Sequence, residues 1–390
     1  MKLYIFVDQV GSGGAAILRD HHGHFVATKS VFYTLEAEAE VASLVHKIAG
    51  SYPGTTNLSE MLQLYAKSVL CRVAFGRDFV QSGDSQRQGF QKVVDEHEEL
   101  LGGFNIGDFF PSLNFVHSLT GLKSKLQDNA RMYDQLIDQI LSEHMDSNKV
   151  DKEHEDLVDV LLQLQKNGSD EIPLTTDNVK ATILDLFAAG TNTTSIALDW
   201  AMTELLMNPH VMKKAQKEVR SILGERKVVA ESDLDELEYM KAVIKEVFRF
   251  HPSVPILLPR ESLEDVEIEG YRIPAKTRFL VNAWAIGRNS ESWEDPNTFK
   301  PERFIGSNID YRGKDFELIP FGGGRRGCPG VTFAIAAIEL ALAQLLYSFD
   351  WELPPGITPK DLDLSEVFGI TTHKREPLHV VAKPYFPQDS

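Results

Sequence analysis

The stretch that decides the fold is Phe321-Gly-Gly-Gly-Arg-Arg-Gly-Cys-Pro-Gly330, and an apolar helix-forming segment begins directly after it. Its glycines allow backbone conformations that are closed to other residues, and they let amide N–H groups approach the sulfur of Cys328 closely. The helix start and the guanidinium groups of Arg325 and Arg326 bring positive charge near that sulfur. These features favour a thiolate and make Cys328 a candidate metal ligand.

Several interpretations of Cys328 are compatible with its surroundings in the sequence. A single thiolate with no partner ligand nearby argues against zinc, which takes three or four protein groups, whereas a haem iron uses one axial thiolate. The commonest role of a lone cysteine is that of a small buried apolar residue. Because the chain has 12 histidines, a nucleophilic Cys–His pair is also compatible. A phosphate-cradling loop is a further alternative, although the Lys-Ser/Thr of the phosphate loop is missing.

Working outward from the loop, helical periodicity dominates the chain from about residue 35. It predicts helices over 61–75, 89–101, 122–144, 156–165, 176–207, 209–223 and 241–250. The apolar segment 331–349 is interrupted by Glu339 and Gln344, so it is predicted to be a core helix and not a membrane span. Alternating runs at 4–7, 15–18 and 25–28 predict strands, and those between 266 and 281 predict a small sheet. The pattern favours a mainly α fold with a minor β-sheet.

Composition excludes several classes of protein. The 390 residues carry 40 basic and 57 acidic side chains, a net charge of −17, which disfavours binding to nucleic acid or to an anionic membrane. Two cysteines cannot make a disulfide scaffold. The sequence shows no signal peptide and no membrane anchor, so a soluble, cytoplasmic protein is expected of the chain as written.

The cysteine loop resembles the haem-binding signature of the cytochrome P450 family. Phe321, Gly324, Arg326, Cys328 and Gly330 stand at the positions where that signature has Phe, Gly, Arg, Cys and Gly. The resemblance implies that haem is the cofactor and that Cys328 is the axial ligand of its iron.

Two further motifs agree with this resemblance. Glu246 and Arg249, three residues apart on a predicted helix, are by themselves typical of a solvated surface pair. They resemble the family's Glu-x-x-Arg motif, and Pro301-Glu-Arg-Phe304 resembles the motif that precedes the haem signature. The resemblance implies that Glu246, Arg249 and Arg303 form a buried network beneath the haem.

The predicted helix 176–207 contains Ala189-Gly-Thr-Asn-Thr-Thr194. A threonine hydroxyl here can bond to a carbonyl one turn back and bend the helix, and a buried helix with small residues is the alternative. The stretch resembles the family's oxygen-binding motif, which implies that Thr193 assists oxygen activation and that Ala189 borders the substrate. Asn192 stands where the family usually has Asp or Glu, and an amide cannot shuttle a proton as a carboxyl can.

Two apolar stretches match the family's substrate-lining segments. Val254, Ile256 and Leu257 lie in one of them, and the resemblance places Arg260 and Arg326 at the haem propionates. Ile370 lies in the second, a late turn that begins at Phe368. A strand start rich in proline is the plain structural alternative for the first stretch.

Residues 40–390 resemble a plant-type microsomal cytochrome P450 haem domain without its N-terminal part. The family resemblance implies a monooxygenase that acts on a small lipophilic molecule, such as a plant secondary metabolite, with O2 and an NADPH-cytochrome reductase. Full-length members of this type lie at the cytosolic face of the endoplasmic reticulum. The alternative from another class is a non-catalytic remnant that does not hold haem productively.

Residues 1–39 resemble the opening of a plant retroelement-type ribonuclease H domain, and they predict a short α/β fragment before the haem domain. Asp8 and Glu38 match the first two metal-binding carboxylates of that domain. Because the later carboxylates do not follow, two-metal nucleic-acid hydrolysis is the less favoured function. A fused remnant or a gene-model junction is the favoured interpretation.

Overall fold

The described chain begins with a three-stranded antiparallel sheet. Strand β1 (Tyr4–Val10) pairs with β2 (Gly13–Arg19), which pairs with β3 (Phe25–Val31). The strands predicted for this region are therefore confirmed, and each is longer than predicted. The computed structural model describes residues 4–10, 13–19, 25–31, 34–76, 93–94, 96–97, 99–100, 102, 106–113, 115–146, 156–167, 174–226, 228–367 and 369–385.

Helices form most of the body of the described chain, as predicted. The longer ones are α1 (Thr34–Ala49), α2 (Leu58–Phe75), α3 (Leu122–Asp146), α4 (Leu157–Asn167), α5 (Thr176–Gly190), α6 (Asn192–Met207), α7 (Pro209–Leu223), α8 (Glu238–Phe250) and α9 (Val331–Ser348). Local chemistry explains the ends of several of them. The side chain of Asn57 accepts the Glu60 N–H at 3.2 Å and caps α2, which ends at Gly76 in the left-handed conformation.

The prediction of one continuous helix over 176–207 is wrong, because the chain forms two helices that meet at Thr191. The Thr191 hydroxyl donates to the Phe187 carbonyl at 3.0 Å, and the Thr193 hydroxyl donates to the Ala189 carbonyl at 2.8 Å. Such bonds to carbonyls one turn back compete with the helical ladder and bend the helix. The bond predicted from a threonine hydroxyl to a carbonyl one turn back is therefore confirmed at Thr193.

The remaining sheets are small. Strand β12 (His379–Pro384) pairs with both β4 (Thr56–Asn57) and β9 (Phe349–Glu352). Three two-stranded sheets are made by β5 (Arg260–Glu261) with β8 (Arg278–Phe279), β6 (Val266–Ile268) with β7 (Tyr271–Ile273), and β10 (Glu366–Val367) with β11 (His373–Lys374).

The single sheet predicted between 266 and 281 is therefore wrong in its pairing. Glu269 and Gly270 both have positive φ, at 50° and 80°, which closes β6 and β7 into a tight hairpin. Strand β8 then pairs with β5 and not with that hairpin.

Helix α9 lies in the core and begins directly after the cysteine loop. Its length and composition would suffice to span a membrane, but 67% of it is buried inside the protein. Leu342, Leu345 and Leu346 are fully buried in a cluster that also takes in residues of α1, α6, α7 and α8. The prediction of a core helix is confirmed, and this helix fixes the position of the loop before it.

Some predictions fall outside the described residues. The helix predicted over 89–101 is described only at 93–94, 96–97 and 99–100, which are helical. The side chain of Asp8 and the residue Phe368 also lie outside the described part.

Candidate active site

Backbone hydrogen bonds within the cysteine loop hold its conformation. The Cys328 N–H donates to the Phe321 carbonyl at 2.9 Å, and the Gly327 N–H donates to the Gly324 carbonyl at 3.0 Å. Gly322 and Gly324 have φ of 69° and 65°, a conformation that side chains other than glycine rarely adopt. The loop leaves Cys328 exposed at the start of α9.

Aromatic packing supports this loop from behind. The ring of Phe321 lies edge-on to Phe248 of α8 and to Tyr311, with ring centroids 5.1 Å and 5.8 Å away. A Cβ added at Gly313 would stand 2.7 Å from the Gly322 carbonyl oxygen, so only glycine permits this close approach. The loop is thus held against the core at both its start and its middle.

The protonation of Cys328 differs from the sequence-based expectation. Although the residue is exposed, desolvation of its sulfur raises the pKa of the thiol above its ordinary value, and the hydrogen bond from the Gly330 N–H lowers it only in part. Helix start and arginines were expected to favour the thiolate outright. Desolvation of the sulfur therefore acts against the thiolate form, in the direction opposite to the Gly330 N–H.

Arg260 contacts the cysteine loop at the backbone of Arg326. Arg260 of β5 donates from Nη2 to the Arg326 carbonyl oxygen at 2.9 Å. Guanidinium groups suit the carboxylates of a bound ligand, and the role of Arg260 and Arg326 at the haem propionates stays a prediction.

The junction of α5 and α6 forms another side of the site. Thr193 is half-buried with its hydroxyl on the Ala189 carbonyl, and Ala189 itself is exposed. Asn192 is half-buried, and its carbonyl accepts the Ser195 hydroxyl at 2.9 Å. Gly190 lets α5 pack closely on α2, since a Cβ there would stand 3.1 Å from a methyl carbon of Leu70.

The two apolar segments predicted to line the substrate site lie against this junction and against the loop. The Ser253 hydroxyl donates to the Thr193 carbonyl at 3.3 Å, and the Thr372 N–H donates to the Ser253 carbonyl at 2.9 Å. A Cβ at Gly322 would stand 3.8 Å from Leu257. Val254 and Leu257 are half-buried, as is Ile370 in the turn before Thr372, whereas Ile256 is 41% exposed. The residues at 253–257 thus connect the helix junction to the cysteine loop.

Glu246, Arg249 and Arg303 form the predicted buried network. Arg249 donates from Nε and Nη2 to the two carboxylate oxygens of Glu246 at 2.7 and 2.8 Å, and Arg303 donates from Nε at 3.1 Å. The side chains of Glu246 and Arg249 are completely buried, and that of Arg303 is 8% exposed. The surface-pair interpretation is wrong for these residues.

Sequence reasoning missed how this network reaches the irregular segment before the cysteine loop. The backbone N–H of Lys300 donates to Glu246 at 2.7 Å, and Arg249 donates to the carbonyl of Gly287. A Cβ at Gly287 would stand 2.3 Å from the Arg249 carbonyl oxygen, so glycine is required there. Gly287 follows the apolar run 283–286, and nothing in this local sequence indicates the contact.

Sequence reasoning also missed an ion pair and a carboxylate–histidine hydrogen bond made by α6. Asp199 faces Lys374 of β11, with 3.7 Å between Oδ2 and Nζ, and Glu204 faces His251, with 2.7 Å between Oε1 and Nε2. The ring of His251 stacks on Trp200 with centroids 3.7 Å apart. Because the partners are distant in the sequence, no local pattern could reveal them.

The residues present fit a haem. They offer one soft sulfur donor on an exposed loop, the guanidinium group of Arg260 bonded to that loop, and apolar side chains such as Ile256 and Leu257 on the neighbouring segment. Glycines at 322 and 324 keep side chains away from the face of the loop. A single thiolate with an apolar surround is the donor set of a haem-thiolate centre and not of zinc.

Comparison with known proteins identifies the family that shares these features. The family model described as Cytochrome P450 matches residues 22–380. Cytochrome P450 71AP13 of Prunus mume is 65% identical over 350 residues, which are 90% of this chain and 68% of that protein. Premnaspirodiene oxygenase of Hyoscyamus muticus is 45% identical over 353 residues, 89% of this chain and 69% of that protein.

A solved structure agrees in fold. A zebrafish cytochrome P450 with progesterone is 28% identical, has a TM-score of 0.78, and matches 90% of this chain and 77% of its own. The expected P450-like helical fold is confirmed. The family match begins at residue 22, inside the segment 1–39, and the division into 1–39 and 40–390 stays a prediction.

Proposed function

Because the chain belongs to the cytochrome P450 family, we propose that it is a plant haem-thiolate monooxygenase that inserts one oxygen atom of O2 into a small lipophilic substrate. The observation that carries the proposal is Cys328, exposed at the start of α9 on a glycine loop and flanked by Arg260 and Arg326. A plant secondary metabolite is the proposed substrate class. The relative named premnaspirodiene oxygenase supports that class by its name.

Haem, when bound, would supply the redox chemistry that activates O2, and Cys328 is the proposed ligand of its iron. Arg260 and Arg326 would hold the propionates through charge-assisted hydrogen bonds. The Gly330 N–H directed at the sulfur is the local donor that stabilises negative charge there. The chain itself therefore orients the cofactor and tunes the sulfur.

The substrate would lie between the α5–α6 junction and the two apolar segments. Ala189, Val254, Ile256, Leu257 and Ile370 are the proposed lining residues. Their apolar side chains offer contact area and few hydrogen-bond partners, which favours a lipophilic molecule over a polar one.

Thr193 is the proposed residue for proton delivery at this junction. Its hydroxyl donates to the Ala189 carbonyl at 2.8 Å, so its oxygen lone pairs remain able to accept a hydrogen bond from water or a ligand. Asn192 can hold a water but cannot exchange a proton as a carboxyl would. Proton transfer in this chain would therefore pass through the Thr193 hydroxyl and water.

The proposed electron donor is an NADPH-cytochrome reductase, and the proposed location is the cytosolic face of the endoplasmic reticulum. Both follow from membership in the plant microsomal branch of the family.

Isotope incorporation tests the proposed function. The chain, loaded with haem, is incubated with the reductase, NADPH and ¹⁸O2 over a panel of plant terpenoids and alkaloids that includes premnaspirodiene. A product heavier by one ¹⁸O atom is expected with the wild type and not with Cys328→Ser. If the wild type holds haem and accepts electrons but labels no member of the panel, the proposed substrate class is wrong.

A further inference from the structure

Helix α6 carries two carboxylates, half-buried Asp199 and buried Glu204, whose partners lie next to the two segments that border the proposed substrate site. Asp199 meets Lys374, which follows the turn 369–372 by two residues. Glu204 meets His251, which stands two residues before Ser253. The two segments are bonded to each other, because the Thr372 N–H donates to the Ser253 carbonyl at 2.9 Å. One helix therefore holds both sides of the site.

The contact between Asp199 and Lys374 is the more unusual of the two. The Lys374 side chain is 3% exposed and that of Asp199 is 14% exposed. Asp199 is held from its other side, since its Oδ1 accepts the Ser59 hydroxyl at 2.7 Å and Ser59 in turn accepts the Leu378 N–H at 2.8 Å. Besides its contact with Lys374, the carboxylate is thus bonded to α2 and, through Ser59, to the chain after β11.

Burial of this ion pair does not favour folding by itself. Desolvation raises the pKa of Asp199 and lowers the pKa of Lys374, which shows that each charge is costly where it lies. Replacement of a buried ion pair by apolar residues of similar volume is often neutral or stabilising. An ion pair, unlike an apolar pair, favours one relative position of its two side chains.

That geometry bears directly on the turn at 369–372. Lys374 lies in β11, which pairs with β10, and the turn joins these two strands. Since Thr372 bonds to Ser253 and the Ser253 hydroxyl bonds to the Thr193 carbonyl, a shift of β11 along α6 would move Ile370 relative to the helix junction.

We propose that Asp199 and Lys374 form a positioning pair that sets the place of the turn 369–372 against Ser253, and thereby fixes which substrate orientations the site accepts. The proposal rests on the proposed function, because the site is taken to be the substrate site of a haem enzyme. Neither residue is catalytic, since both act through the turn.

The experiment compares two probes of different size in a set of variants. Imidazole and 4-phenylimidazole both bind a haem iron through nitrogen and shift its Soret absorption, and the second also carries a phenyl group that extends beyond the imidazole ring. The variants are Lys374→Met, Lys374→Arg, and the neutral double variant Asp199→Asn/Lys374→Met. Lys276→Met is the control, because Lys276 makes an exposed ion pair with Glu261 at 3.2 Å.

The double variant should keep the unfolding midpoint of the wild type within a few degrees, because no lone charge is left buried. Its ratio of the two dissociation constants should change by about fivefold or more, which corresponds to roughly 1 kcal/mol. Hydrogen exchange of the Thr372 amide should become faster in the same variant. Lys374→Arg should restore the ratio to within about twofold of the wild type, and Lys276→Met should change neither quantity.

An unchanged ratio together with unchanged exchange at Thr372 in the double variant would overturn the proposal. A wild type that binds no haem would instead overturn the proposed function. In that case the exchange rate of Thr372 still decides on the positioning pair, because its hydrogen bond to Ser253 is present in the protein without ligand.

Discussion

Replacement of Glu246 by Gln should destabilise the protein strongly. The carboxylate is completely buried and accepts hydrogen bonds from Arg249, from Arg303 and from the Lys300 backbone. A Gln side chain removes the negative charge and turns an N–H group toward two guanidinium groups that are almost fully buried. The two positive charges then remain without a counter-charge in a desolvated place.

The expected loss is about 3–5 kcal/mol, which is the range for removing one partner of a buried ion pair. For a chain of 390 residues, an unfolding entropy of about 2.1 cal/mol/K per residue converts this loss to a fall of roughly 4–6 °C in the midpoint. Asp128→Asn, which likewise turns a carboxylate into an amide, is a matched control. Asp128 also pairs with an arginine three residues later, Arg131, but the two side chains are 56% and 71% exposed.

Urea and thermal unfolding followed by circular dichroism measure both variants. Asp128→Asn should change the free energy of unfolding by less than about 0.5 kcal/mol, because surface ion pairs contribute little. A Glu246→Gln protein whose stability matches that of Asp128→Asn would refute the buried network as an energetic element.

Three further predictions concern Glu339 of α9, His251 and Asn192. Burial raises the pKa of Glu339 from 4.5 to about 7, so the folded state keeps a proton that the unfolded state has lost. The free energy of unfolding therefore falls as pH rises from 4.5 to 7. In urea unfolding, Glu339→Gln should be more stable than the wild type at pH 8 and equal to it at pH 4. Burial lowers the pKa of His251 below 6.5 despite its hydrogen bond to Glu204. The contribution of His251 to the free energy of unfolding is therefore fully present above pH 6.5 and is lost as pH falls through the lowered pKa. His251→Gln should reduce the loss of stability at acid pH, and an unchanged dependence on pH would contradict this. Asn192→Asp should raise the product formed per NADPH and lower the release of hydrogen peroxide, because a carboxyl can donate a proton and be reprotonated; equal coupling in both proteins would show that Asn192 has no part in proton delivery.

Much of the fold follows from local signals in the sequence. The bounds of α7 agree with its prediction because Pro209 starts the helix and Gly224 ends it, and both signals are local. The buried network could be predicted only through its motif, since an i, i+3 pair of charges is typical of a surface. The network is buried because Trp293 and segment 294–300 pack around it in the folded protein.

Neither the pairing of the small strands nor the side-chain contacts of α6 could be predicted, and the reason is the same for both. Strand β8 pairs with β5 across 16 intervening residues, and Asp199 meets a lysine 175 positions later. Each segment taken alone has the same local pattern whichever partner it meets. The thiol of Cys328 shows the opposite case, because nearby positive charge was visible in the sequence but the desolvation that raises its pKa comes from the packed structure.

The carbon monoxide difference spectrum of the reduced protein tests the assignment of Cys328 most directly. The chain contains two cysteines, Cys328 on the exposed loop and Cys71 buried in α2, so each serves as the control of the other. A thiolate-ligated haem gives a Soret band far to the red of that given by a histidine-ligated haem. We expect that band in the wild type and in Cys71→Ala, and its loss in Cys328→Ser. A red-shifted band that survives in Cys328→Ser, or its absence from a wild type that retains haem, would show that Cys328 is not the haem ligand.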